Sequence, residues 1–365
     1  MTSDHLSKLS EAIRTARTAN EAAVYRAELA GALARFGDLS SAKAQVAEIR
    51  KSNPRYLPDM TALALLAEGQ ILHFDALSTN AVRAFRASEA VARSAGKIDI
   101  AAMALAWVAA SEFLGGEIAV AAEHAARSIR EANDDAYGTI ARAELVVADC
   151  LSSAGMFDDA NRHYQLARNA SVHMGDITMQ STVLFNRAAF AVAQLSIADI
   201  EQASDAKQLR DTELLVQSID SLDRVVGLDS LNSLVPLLRA ELAMVGAKWD
   251  DALRLFELGL ASASEHGQSR WLAKFLAEES LAFAMKGAME TATETARGAI
   301  DHIGSCTDMD DLAIAHMRLA ATFELTQASA EAVEHQRTGQ MYVHLFHNAR
   351  RDLQSKLRPK LLNLN

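Results

Sequence analysis

Small residues return at a nearly fixed step along almost the whole chain, and this limits the folds open to it more than any single motif does. The stretches "GDLSSA", "GEIAVA", "GMFDDA", "AKWDDA" and "GAMETA" end at Ala42, Ala121, Ala160, Ala252 and Ala292, and weaker copies end at Ala81, Ala203 and Ala332. Successive anchors lie 39, 40, 39, 43, 49, 40 and 40 residues apart. Twelve residues before each anchor stand Ala30, Gly69, Ala109, Ala148, Ala191, Ala240, Ser280 and Ala320, all of them small. Seven after it stand Ile49, Ser88, Ser128, Ala167, Arg210, Gly259, Ala299 and Gly339, where the first and fifth units break the rule. Small side chains at matched positions on two successive helices let the backbones approach closely, and a glycine five residues before the anchor can take the left-handed conformation that ends the first helix. Each unit therefore reads as a helix hairpin, and a period of this length means a stacked array.

Composition supports that reading. Half of the residues are hydrophobic, aromatics are few, four prolines interrupt the chain, and no long stretch alternates apolar with polar residues as a half-buried strand does. The expected class is all-α.

The pattern resembles the tetratricopeptide repeat, with its three small positions, its Gly-Asp-Tyr-like turn and its closing proline. The residues that carry the likeness are Gly37-Asp38-Leu39 with Pro54, Gly155-Met156-Phe157 with Tyr164, and Lys248-Trp249 with Phe256. The family period is 34 residues and this one is about 40, which implies longer helices, as in the arrays of bacterial regulators and sensor proteins. The resemblance implies a right-handed α-solenoid superhelix of about eight hairpins over residues 20–345, with a capping helix over 1–19 and an amphipathic basic tail helix over 346–365. The fifth unit, about 176–232, is irregular, and the spacing of Leu214, Leu215, Ile219, Leu222 and Val226 predicts a long or broken helix there.

Few motifs carry chemistry. There is no Gly-rich phosphate loop, no H-E-x-x-H and no G-x-S-x-G. Asp158, Asp159 and His163 lack a fourth metal ligand, and the acidic pair suits a helix start instead. His344 and His347 lack a third, and "CTDMDDL" lacks the glycine and distal glutamate of a calcium loop. No catalytic residue, metal or cofactor is expected. Cys150 and Cys306 stand far apart within helical patterns, which suits buried thiols. The net charge of −11 speaks against nucleic acid as a partner. The first residues carry no apolar core of signal-peptide length, and no uncharged apolar run of about 18 residues follows. The expectation is a cytoplasmic chain without a membrane partner.

In the tetratricopeptide family the first helix of each hairpin lines the concave face. Carried onto this register, that implies a binding groove of Leu66, Gln70, His73, Met103, Ala106, Phe113, Arg142, Asp149, Glu241 and Met244. Methionine and leucine there suit an apolar or amphipathic peptide, with Arg142 and Asp149 fixing direction at the rim. The alternative is that a tightly wound array fills its own lumen with these side chains. The set does not match the Lys/Asn/Arg clamp by which some chaperone-binding members hold a C-terminal carboxylate. The expected function is a non-catalytic scaffold, adaptor or regulatory sensor for a protein or peptide, with homodimerisation through the C-terminal helix open. The rival is a helical-scaffold enzyme or small-molecule regulator using His73, Asp149 and Glu241 as polar points in a central channel.

Overall fold

The computed structural model describes residues 4–361 apart from 54, 56, 77, 78, 227–233 and 266–270, so the expected turn proline Pro54 and the expected helix start near Ser233 lie outside the described residues. Among the described residues the chain is helical throughout, with no strand. A first helix, α1 (Asp4–Thr15), precedes eight pairs. The first four are α2 (Ala19–Arg35) with α3 (Leu39–Lys51), α4 (Pro58–Ala76) with α5 (Thr79–Ser94), α6 (Ile98–Leu114) with α7 (Ile118–Glu131), and α8 (Tyr137–Ser153) with α9 (Phe157–Met174). The others are α10 (Ile177–Ile200) with α11 (Ala206–Val226), α12 (Leu234–Val245) with α13 (Trp249–Glu265), α14 (Leu272–Met285) with α15 (Met289–His302), and α16 (Met309–Leu325) with α17 (Ser329–Leu361). The chain is thus an all-α solenoid of tetratricopeptide-like hairpins, as the repeat predicts.

Chain contacts divide it into two compact units. Unit 1 holds the described residues up to Val183 with 224–226 and 352–361, and unit 2 holds 184–223 and 234–351.

The anchors do what their size predicts. Ala42, Ala81, Ala121, Ala160, Ala252 and Ala292 are all buried. Gly37, Gly116, Gly155 and Gly287 take positive φ at the turn five residues earlier, and so do Ala247 and Gln327 despite their side chains. The small columns are equally tight. A Cβ on Gly69 would sit 2.4 Å from Phe85 Cε1, and one on Gly259 would sit 2.6 Å from Leu237 Cγ. Where serine replaces glycine, its hydroxyl is satisfied across the hairpin: Ser88 Oγ donates to the Ala62 carbonyl and Ser128 Oγ to that of Ala102, both at 2.7 Å.

Two expectations change. Ala203 is exposed in the turn between α10 and α11 and anchors nothing. The buried face of α11 is Thr212, Val216 and Ile219, the spacing shown by Ala252, Phe256 and Gly259 in the next unit. The anchor therefore falls nine residues later, at Thr212, and the added length precedes it: α10 has 24 residues where α2, α6 and α8 have 17. By length and apolar composition α10 would suffice to cross a membrane. Here Ala188, Val192 and Leu195 pack in a core with Val216 and Ile219 of α11 and Val235 of α12. The tail is not a separate helix either, because α17 runs unbroken for 33 residues. Within unit 1, its last turns bury Leu357 and let Gln354 Nε2 donate to the Ala154 carbonyl at 2.8 Å.

Candidate functional site

In unit 1, three first helices meet at one aromatic centre, which α6 supplies and onto which α4 and α8 bring polar groups. Helix α6 is apolar on nearly all sides, so its middle is buried and carries Trp107 into the core. Phe85 stacks on the Trp107 ring at 5.4 Å between centroids, and Phe74 and His73 meet it edge-on at 5.8 and 5.2 Å. From α8, the Arg142 guanidinium lies over the same ring, 4.0 Å from its centroid. Two turns further along α8, Asp149 accepts a bond from the buried Tyr164 hydroxyl at 2.7 Å.

The charges around this centre are held firmly. Arg35 Nη1 meets Asp176 Oδ2 at 2.9 Å, and Asp176 also accepts from Thr178 Oγ1 at 2.5 Å and the Met179 amide at 3.0 Å. Burial works against its ionisation, but Arg35 and these bonds hold the Asp176 carboxyl well below the usual range. Burial, then the charge of Arg35, pushes Arg142 down to about 9, so it remains a cation at neutral pH. Burial and then Arg142 push His73 down to about 4, leaving a neutral imidazole.

Unit 2 has its own cluster, built from four first helices. Lys274 Nζ of α14 lies 2.7 Å from Glu241 Oε1 of α12 and 3.0 Å from Asp311 Oδ1 of α16. Arg318 of α16 reaches Asp199 Oδ2 of α10 at 2.7 Å and lies 3.9 Å from Glu278 Oε1 of α14. Two cations thus face four carboxylates. Glu278 has no exposed surface, and neither of its oxygens takes a hydrogen bond among the described residues. Burial, then Glu241, pushes its carboxyl up to about 8. Beyond this cluster, His316 Nδ1 and His335 Nδ1 lie within hydrogen-bond distance at 2.8 Å, His316 against Tyr342 and His335 against Phe323.

The residues expected to line a groove are placed as follows. Leu66, Gln70, His73, Ala106, Arg142, Asp149, Glu241 and Met244 are buried, and Met103 and Phe113 are partly exposed. Arg142 and Asp149 therefore do not stand at a rim. Met103 lies close to α8, where a Cβ on Gly138 would sit 3.0 Å from its Cε. Met244 packs in a core with Phe256 and Leu281. His73, Arg142 and Asp149 gather in unit 1, whereas Glu241 joins the ion cluster of unit 2. Sequence reasoning missed Trp107, Arg35 and Asp176; the signal available was one tryptophan on an otherwise alanine-rich first helix.

Other candidates resolve into packing. His163 Nδ1 meets Glu144 Oε2 at 2.5 Å in the core, and Asp159 pairs with Arg162. His347 Nε2 meets Glu201 Oε1 at 3.0 Å. Among the described residues no group of three or more His, Cys, Asp or Glu is arranged to hold a metal ion. Cys150 and Cys306 are free and buried, and burial raises both thiols, Cys306 to about 12.

The class these observations define is an all-α solenoid of tetratricopeptide-like hairpins. Among solved structures, the chain is similar to a Rap protein complexed with competence and sporulation factor, with a TM-score of 0.52, 13% identity, and 98% of each chain covered. No family model matches the chain, and no curated protein does.

Proposed function

We propose that this chain is a non-catalytic regulatory scaffold that binds a peptide, or a short segment of a protein, through the first helices of its hairpins. The observation that carries the reading is the convergence of α4, α6 and α8 on one polar and aromatic centre, where successive hairpins each contribute a side chain. Solenoids use that convergence to hold an extended ligand. The fold it shares with a Rap protein complexed with competence and sporulation factor supports a regulatory role. The buried free thiols fit a reducing, cytoplasmic setting.

The test is affinity selection. Immobilised full-length chain is offered a random pool of roughly six-residue peptides, and the retained fraction is measured by mass spectrometry. Phe113 is half-buried on α6, and Phe113→Glu is expected to lower retention by about tenfold while the far-ultraviolet circular dichroism stays unchanged. Arg162→Glu, on the second helix α9, is the control and should do little. Retention that is the same for the wild-type chain and Phe113→Glu would reject this use of the first helices.

A further inference from the structure

We propose that Arg142 is an anion-recognition point in unit 1 and takes a carboxylate of the bound peptide, with His73 as a second donor. The inference rests on the peptide-binding reading above and adds the chemistry of the ligand. Arg142 is 9% exposed, its guanidinium carbon lies 4.0 Å from the Trp107 ring centroid, and it makes no hydrogen bond or ion pair with any described residue, the Asp176 and Asp149 carboxylates acting on it only through space. Arg35, by contrast, is matched to Asp176 and Thr178 at 2.9 and 3.1 Å.

A guanidinium carries five N–H donors in one plane and cannot shed its charge near neutral pH. Left without an acceptor in a buried position, it forgoes bonds worth more than neutral ones. Trp107 covers one side of the guanidinium, and a carboxylate docks on the N–H donors at a guanidinium's edge with two parallel bonds. His73 meets the same indole from α4 at 5.2 Å and is also 9% exposed. Its ring nitrogens make no hydrogen bond with a described residue, so a neutral imidazole can donate one more bond to the same anion. This is one arginine and one histidine on two first helices around a tryptophan, not the Lys/Asn/Arg clamp of chaperone-binding tetratricopeptide proteins.

Three peptide pools of equal length, offered to the immobilised full-length chain, test it: neutral side chains with a free C-terminal carboxylate, the same with a C-terminal amide, and an amide pool containing Asp and Glu. The free-acid or the acidic amide pool should be retained about tenfold better than the neutral amide pool, and whichever wins identifies the source of the carboxylate. Arg142→Gln should erase the preference and Arg142→Lys should restore part of it. On the unmodified chain, the His73 ring should also titrate at a higher pH once an acidic peptide is bound. Equal retention of all three pools, with no shift at His73, overturns the carboxylate site and leaves peptide binding standing. Retention of no pool removes the peptide reading and this site with it.

Discussion

Replacing Glu278 by glutamine tests the unit 2 cluster, because it removes one titratable proton from a side chain with no exposed surface. Burial and the neighbouring Glu241 raise the Glu278 carboxyl from an ordinary 4.5 to about 8. A group whose folded value is raised binds its proton more tightly in the folded chain. Its stabilisation is therefore complete below about pH 4.5 and is lost as pH climbs through about 8. At about 1.4 kcal/mol per unit, that window sets a ceiling of about 5 kcal/mol. Glu241 shares the proton equilibrium, and its own carboxyl is raised by burial, so the part removed by one substitution is about 2–4 kcal/mol. Glutamine keeps the shape and has no proton to lose. Urea unfolding of the full chain is followed from pH 5 to pH 8 by circular dichroism and by emission from Trp249 and Trp271, both in unit 2. The variant should match wild type, or fall slightly below it, at pH 5 and exceed it at pH 8. Parallel stability curves across that range would refute the reasoning, since Glu278 would then be ionised at no cost in the folded chain.

Two further expectations follow from the fold. Ala252→Leu should overpack its helix crossing and cost about 1–3 kcal/mol, whereas Ala203→Leu, exposed in a turn, should stay within about 0.5 kcal/mol of wild type; equal losses in the unfolding midpoint would restore Ala203 as an anchor. The His316–His335 pair carries the opposite pH sign to Glu278: burial, then His335, pushes His316 down to about 4, so its stabilisation is present above the ordinary 6.5 and is lost as pH falls through about 4. His335→Phe should flatten that acid limb, as read from unfolding midpoints between pH 7 and pH 4, and an unchanged limb would assign the loss to other groups.

The hairpins were legible because what builds them is local. A turn, a small residue five positions on and another twelve before are all read within one stretch of chain, and φ at Gly37, Gly116, Gly155 and Gly287 agrees with it. Ala247 and Gln327 adopt the same conformation, so the position dictates the backbone and glycine only makes it cheap. The fifth unit misled for the same reason. A small residue marks the anchor in the other units and Ala203 offers one, but the residue of α11 buried at the matching position is Thr212. The extra length lies in α10, where the apolar pattern continues without a break and gives no signal of an insertion.

The site was less legible, and the cause is physical. Periodicity finds what the repeats share, and a binding centre consists of what they do not. Trp107 stands fourteen residues before Ala121, outside the register carried over from the family, so no column pointed to it. Arg142 is in the register, but its contact with Trp107 is set by a neighbouring hairpin. Lys274, Glu241 and Asp311 likewise sit more than thirty residues apart and become one cluster once α12, α14 and α16 stack. Most of the second helices close their hairpins with small residues and repeat one pattern, α11 being the exception. The first helices are free to differ in charge, and that freedom is where one array of this fold can come to bind something another does not.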